Sequence, residues 1–182
     1  VLWTVIPVII LVIIAVPSFK LLYKADSIAE PEMTLKVTGN QWYWSYEYPD
    51  HGSFSFDSNL LDPSDLQEGD IRQLSVDNKV VLPVDTDIRI QVTAADVLHN
   101  WAMPNFGIKI DTVPGRLLET WVRITKEGTY YGQCSELCGV RHAYMPIELQ
   151  AVSKEEFQAW VTKAQAKFGA PDAEPTKLAS AQ

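Results

Sequence analysis

The chain is poor in the residues that staple or chelate. Two cysteines and three histidines occur in 182 residues. Two thiols allow one bridge at most, and leave no further cysteine for a zinc site. Positive charge is also short, with 15 Lys and Arg against 23 Asp and Glu and a net charge of −8. Phosphate backbones are repelled by that balance, which argues against nucleic acid as a partner. Val1–Phe19 carries no charge of either sign, and Glu47–Asp70 contains no Lys or Arg. No internal repeat is present.

The uncharged opening is the longest feature. Nineteen such residues reach about 28 Å as a helix, close to the hydrocarbon thickness of a bilayer. A secretory signal would have a basic start and a small-residue cleavage site, and neither occurs. A buried core helix is the alternative, but so uniform an Ile/Val run suits lipid better. Pro7 and Pro17 fall near its two ends, where a membrane helix tolerates them. A transmembrane helix is therefore expected over residues 1–24, followed by a polar connector over 25–33. Lys20 and Lys24 on their own favour a cytoplasmic C-terminal side. The chain opens inside the apolar run without an initiator methionine, so an upstream segment, another membrane helix, is expected.

From residue 34 to 152 the pattern is β-type. Short apolar runs, broken by Gly, Pro and Asp, predict strands at Leu35–Val37, Trp42–Tyr48, Ile71–Val76, Val80–Pro83, Asp87–Thr93, Leu98–Met103, Thr120–Ile124, Thr129–Cys134 and Ile147–Val152. Many short strands imply a sandwich or barrel. Residues 153–168 predict a closing amphipathic helix. Ser153 and Glu156 form a capping box, and Phe157, Trp160, Val161 and Ala164 form an apolar stripe. Residues 169–182 are small and polar and are expected to be a disordered tail.

Chemistry is concentrated in Cys134–Met145, C-S-E-L-C-G-V-R-H-A-Y-M. Two thiols, an imidazole (His142) and a thioether (Met145) are soft or borderline donors that together suit copper. One copper does not need both thiolates. Two coppers bridged by the sulfurs would use them if a second imidazole arrived, and His99 is the obvious source. His51, in a turn-like polar context, reads as solvated. The rival readings are a Cys134–Cys138 disulfide, a zinc site and a CxxxC redox carrier. A disulfide does not explain His142 and Met145 at ligand spacing. Methionine is a poor zinc ligand. A redox carrier should place its pair after an early strand in a βαβ setting.

A second cluster is Trp42-Tyr43-Trp44-Ser45-Tyr46-Glu47-Tyr48, with five aromatics in seven residues. As a strand it puts Trp42, Trp44, Tyr46 and Tyr48 on one face and Tyr43 on the other. Core packing or a membrane-interface belt explains most of them. One exposed ring near a copper site is instead a place for electrons to enter. The acidic run that follows is either a solvated face or a field that steers a basic protein partner.

Taken together, the residues resemble cytochrome c oxidase subunit II, the copper-A subunit of aa3-type haem–copper oxidases. The resemblance covers residues 1 to about 168. It rests on Gln41-Trp42-Tyr43-Trp44, His99-Asn100-Trp101, Pro114-Gly115-Arg116 and Tyr131–Gly139 with His142 and Met145. It implies a mainly β, cupredoxin-like Greek-key domain over 34–152, preceded by the second of two transmembrane helices. By this resemblance Cys134 and Cys138 bridge two copper ions, and His99 and His142 bind one copper each. Met145 binds one copper and the backbone carbonyl of Glu136 the other, while the Glu136 side chain reaches a magnesium ion shared with subunit I. Trp42 is then where electrons enter from cytochrome c, with Tyr43, Glu47, Asp50, Asp57 and Asp96 around the docking site. The implied partners are cytochrome c, subunit I with haem a, haem a3 and copper B, subunit III, and the lipid bilayer. The implied place is a bacterial plasma membrane or mitochondrial inner membrane, with the copper domain in the periplasm or intermembrane space. The role is electron transfer toward oxygen reduction coupled to proton translocation, with no bond-making chemistry by this chain alone. Three rivals are weighed. The copper-A domain of nitrous oxide reductase lacks the membrane helix and the Trp-Tyr-Trp strand. Quinol oxidase subunit II lacks the copper ligands. A copper-delivery protein should release its metal readily.

Overall fold

The computed structural model describes residues 1–27 and 30–169. The expected tail, apart from Gly169, lies outside the described residues, as do two positions of the connector. In chain order the elements are α1 (Leu2–Asp26), β1 (Met33–Asn40), β2 (Tyr43–Tyr48), β3 (Phe54–Ser58), β4 (Val80–Pro83), β5 (Ile88–Ala94), β6 (His99–Met103), β7 (Ile108–Thr112), β8 (Leu118–Val122), β9 (Gly128–Cys134), β10 (Pro146–Val152) and α2 (Lys154–Phe168).

None of the residues of α1 is buried. By length and composition this helix is able to cross a membrane. Its 25 residues reach about 38 Å, enough to span with some tilt.

The rest is a β-sandwich. One sheet has the order β3-β2-β1-β5-β8 and the other β4-β10-β9-β6-β7. β1 runs parallel to β5 and β4 parallel to β10. The chain crosses repeatedly between the sheets instead of meandering within one. Inward positions follow the two-residue period of a strand. Leu35 and Val37, Trp44, Tyr46 and Tyr48, and Ile88, Ile90 and Val92 face Val80, Leu82, Trp101, Met103, Ile147 and Leu149, all fully buried. Each buried aliphatic side chain contributes roughly 1.5–3 kcal/mol. The Tyr48 hydroxyl donates to the Val81 carbonyl at 3.0 Å, so this deeply buried phenol is satisfied.

α2 forms as its sequence requires. The Glu156 N–H donates to Ser153 Oγ at 3.1 Å. Phe157, Val161 and Ala164 are buried, and Trp160 packs against Tyr48 and Phe54. His51 departs from the solvated expectation: it is half-buried, edge-on to Phe157.

Three departures from the expected strands have local causes. Ile71–Val76 is a series of turns, because Gln73 takes a left-handed φ of 68° that no strand accommodates. β3 and β7 were not expected, since their polar alternate residues sit within an acidic run and beside Pro-Gly turns. Trp42 leaves the strand. Gln41 and Trp42 form the two-residue loop between β1 and β2, with Asn40 paired to Tyr43. Trp42 therefore does not share the inward face of Trp44.

Two close approaches set up the donor end. β6 pairs with β9, placing Trp101 opposite Cys134. Gly132 makes that possible, because a Cβ there would collide with the Ala102 carbonyl and the Met103 sulfur. Gly132→Ala should lower stability by about 1–3 kcal/mol through overpacking. A thermal melt checks this, and an unchanged Tm would contradict it.

Candidate metal centre

Cys134 ends β9 and Met145 immediately precedes β10, so the segment between them is a closed loop. The Cys134 N–H donates to the Met145 carbonyl across its mouth at 3.3 Å. Ser135 N–H donates to the Asn100 carbonyl at 3.1 Å, tying the loop to β6 beside His99. The loop then turns back on itself and delivers Cys138 and His142 inward.

The donors converge. The two sulfurs are 3.8 Å apart and unbonded. Cys138 Sγ lies 3.6 Å from Met145 Sδ and 3.5 Å from His142 Nδ1. Cys134 Sγ lies 3.4 Å from the Glu136 carbonyl oxygen. Donor atoms of His99, Cys134 and Cys138 all fall within 4.8 Å of one another. Cys134, Cys138, Met145 and His99 are buried, while His142 is half-exposed.

His99 tests whether a metal fits. Its Nε2 is held by Asp96 Oδ1 at 2.8 Å. Its Nδ1 is buried with no hydrogen-bonding partner. A buried, unpaired ring nitrogen costs roughly 1–3 kcal/mol, so it needs an acceptor of its lone pair. Two thiols, two imidazoles, a thioether and a carbonyl are a soft set that fits copper. Zinc and magnesium would not select a thioether.

An outer layer holds the ring and the loop in place. A Cβ on Gly39 would lie 2.8 Å from the His99 ring, so glycine lets β1 pass against it. Trp44 meets the same ring edge-on at 6.0 Å. Gln41 Nε2 and Trp42 Nε1 both donate to the Cys138 carbonyl, at 2.9 and 3.1 Å. Trp44 Nε1 donates to the Met145 carbonyl at 3.2 Å. The roles of Gln41, Trp44 and Gly39 were not visible in the sequence, because each contact joins segments far apart in the chain.

Of the expected docking residues, Tyr43, Glu47 and Asp57 share the outer face of β2 and β3. Ser45 donates to Asp57 at 2.7 Å, and Lys36 pairs with Glu47 at 2.8 Å. Asp50 accepts from Thr34 N–H at 2.6 Å, at the opposite end of β1 from Trp42. That is about 20 Å of strand. The Asp96 carboxylate is committed inward, to His99 and to the Gln41 and Val97 N–H groups. The Glu136 side chain is exposed on the same loop.

Protonation follows from this packing. Burial pushes the Cys134 thiol up, but the His99 ring and the Asn100 and Glu136 backbone overcome it and bring it down to about 7. Burial and the neighbouring Cys134 thiolate push Cys138 up to about 12. Burial lowers His99, yet Cys134 and Asp96 outweigh it and hold the imidazole above its usual value. Burial likewise opposes ionisation of Asp96, but the His99 hydrogen bond and two N–H donors leave it below the usual carboxylate range.

A family model described as cytochrome C oxidase subunit II, periplasmic domain, matches residues 33–152. The chain belongs to the cytochrome c oxidase subunit II family. Probable cytochrome c oxidase subunit 2 of Rickettsia prowazekii (strain Madrid E) is 55% identical over 161 residues, covering 88% of this chain and 51% of that protein. Cytochrome c oxidase subunit 2 of Branchiostoma floridae is 55% identical over 158 residues, covering 87% and 69%. The chain thus spans about half the length of the rickettsial relative. The crystal structure of the periplasmic domain of subunit II (CoxB) of Bradyrhizobium japonicum superposes with a TM-score of 0.73 at 53% identity, covering 78% of this chain and 99% of that one. Subunit II membership, the cupredoxin-like sandwich and an apolar anchor helix agree with one another.

Copper must displace protons from these donors, so its affinity should fall as pH falls. Cys138, pushed up to about 12, holds a proton throughout the neutral range, so log affinity should rise by at least about one per pH unit. As pH falls through about 7 Cys134 also takes up a proton, and the slope should steepen by about one more per pH unit, with His99, held above its usual value by Cys134 and Asp96, adding in the same direction. A competitive chelator titration across pH 6 to about 9 reads this. An affinity independent of pH would contradict the assignment of these three residues.

Proposed function

We propose that this chain is the electron-accepting subunit of a cytochrome c oxidase. It takes electrons from cytochrome c at a binuclear copper centre and passes them to haem in subunit I. There oxygen is reduced to water, coupled to proton translocation. Cys134 and Cys138 would bridge the two ions, with His99, His142, Met145 and the Glu136 carbonyl completing the set. Bound there, the copper pair would accept and release one electron. The exposed Glu136 carboxylate would take a magnesium ion shared with subunit I.

The observation that carries this reading is the hydrogen bond from Trp42 to the Cys138 carbonyl. It joins a half-exposed indole directly to the backbone of a donor residue. In its loop position the Trp42 ring packs against the edge of the core and stays half-exposed. A Cβ on Gly139 would sit 3.0 Å from that ring, so the glycine allows the close stacking of ring on loop. Tyr43, Glu47 and Asp57 flank it on the outer face of β2 and β3, supporting approach by a basic partner through long-range attraction. Asp50, some distance along β1, would act only through the field. Asp96 orients His99, and its docking role reduces to its half-exposed edge.

Donor geometry is set by the protein before any metal binds. Burial of the sulfurs, two indole N–H clamps and the Asp96–His99 bond restrain the two thiols, the thioether and His99. Restraint of that kind keeps nuclear rearrangement small when charge changes. α1 would anchor the domain to a bacterial plasma membrane or mitochondrial inner membrane, with the sandwich in the periplasm or intermembrane space. Subunit III would belong to the same assembly.

Trp42→Ala should slow electron uptake from reduced cytochrome c by roughly tenfold or more at saturating partner, while the partner's apparent affinity changes far less. Stopped-flow reduction at several cytochrome concentrations separates the two. Unchanged transfer at saturation would overturn the role of Trp42.

A further inference from the structure

A cavity of about 330 Å³ lies between the Leu60–Gln73 segment and the loop that carries His142. Leu60, Leu61 and Leu66 supply an apolar wall. Arg72 and Arg141 line it from opposite segments. Asp62 is also at its edge. Neither arginine makes an ion pair among the described residues. Asp62 does not neutralise either one within bonding distance.

A cavity with an apolar wall and a few polar groups is the usual form of a small-molecule site, and this volume lies at the lower end of that range. Two guanidiniums and one carboxylate leave a net charge of +1. The apolar wall disfavours a fully hydrated ion, and the unpaired cations disfavour a neutral hydrocarbon. We propose that the cavity binds a small amphipathic monoanion, a medium-chain carboxylate, with its head between Arg72 and Arg141 and its tail on Leu60, Leu61 and Leu66. Arginine suits the head because its planar fork matches a carboxylate. The occupant would bridge two segments that no ion pair of Arg72 or Arg141 now joins. Arg141 immediately precedes His142, so the bridge would also stiffen the donor loop. The binding claim itself rests on the cavity and stands apart from the copper reading.

The test uses the full chain in nanodiscs without copper, titrated with octanoate by calorimetry. Octanol, acetate and inorganic phosphate serve as controls, and Arg72→Gln/Arg141→Gln as the variant. Both positions are exposed, and an unchanged circular dichroism spectrum verifies the variant's fold. Saturable octanoate binding, weakened about tenfold or more in the double variant, is the expected result. Octanol and acetate should each bind at least about tenfold more weakly, since each lacks one half of the recognition. Equal binding of octanol, equal binding of acetate or phosphate, an unaffected double variant, or no saturable octanoate binding would each overturn the proposal. In a second arm, Leu66→Asp should abolish octanoate binding, and retained binding would overturn the placement of the tail.

Discussion

A buried imidazole nitrogen without a protein partner sets the terms for one whole end of this sandwich. His99 Nδ1 is buried, has no nitrogen or oxygen partner and faces the donor thiols. Its other nitrogen is fixed by Asp96, so the ring cannot turn to relieve the first. Around that ring the chain spends a glycine (Gly39), an edge-on indole (Trp44) and the β6–β9 pairing. Those choices hold the His99 donor atom within 4.8 Å of the two thiols, as a metal site requires. The metal we propose for it is copper.

The loop from Cys134 to Met145 is the second half of the same constraint. It offers four donors in a short span, but a free loop would scatter them. Hydrogen bonds from Gln41, Trp42 and Trp44 to its carbonyls prevent this. All three come from the β1–β2 hairpin, so the aromatic strand and the donor loop form one unit. The two residues at its tip, exposed Gln41 and half-exposed Trp42, are both bonded to the Cys138 carbonyl. Structural support and the proposed electron path are therefore the same contacts. In the proposed function the acidic outer face of β2 and β3 would add steering without touching the donors.

Much of this was legible in the sequence, for reasons that differ by element. The uncharged run of α1, the capping box of α2 and the alternation of β5 are local patterns, and local physics decides them. The donor loop was legible because its chemistry sits in one contiguous stretch. His99 could be named only because histidine is scarce. The inward-facing part of the aromatic strand was read correctly for Trp44, Tyr46 and Tyr48, but not for Trp42. Its turn depends on Asn40 pairing with Tyr43, a contact that periodicity does not report. Asp96 read as a surface acid because its partner, His99, is a buried ligand candidate that a one-dimensional view cannot orient. Ile71–Val76 failed as a strand because a single left-handed residue interrupted an otherwise extended pattern.

The account stands or falls on two metals sharing two sulfurs. The most direct measurement is on the full chain in nanodiscs, loaded with copper, with metal content and electron paramagnetic resonance recorded on one sample. The account predicts two coppers per chain and one unpaired electron spread over both nuclei. One copper with localised spin, or no bound copper, would contradict it.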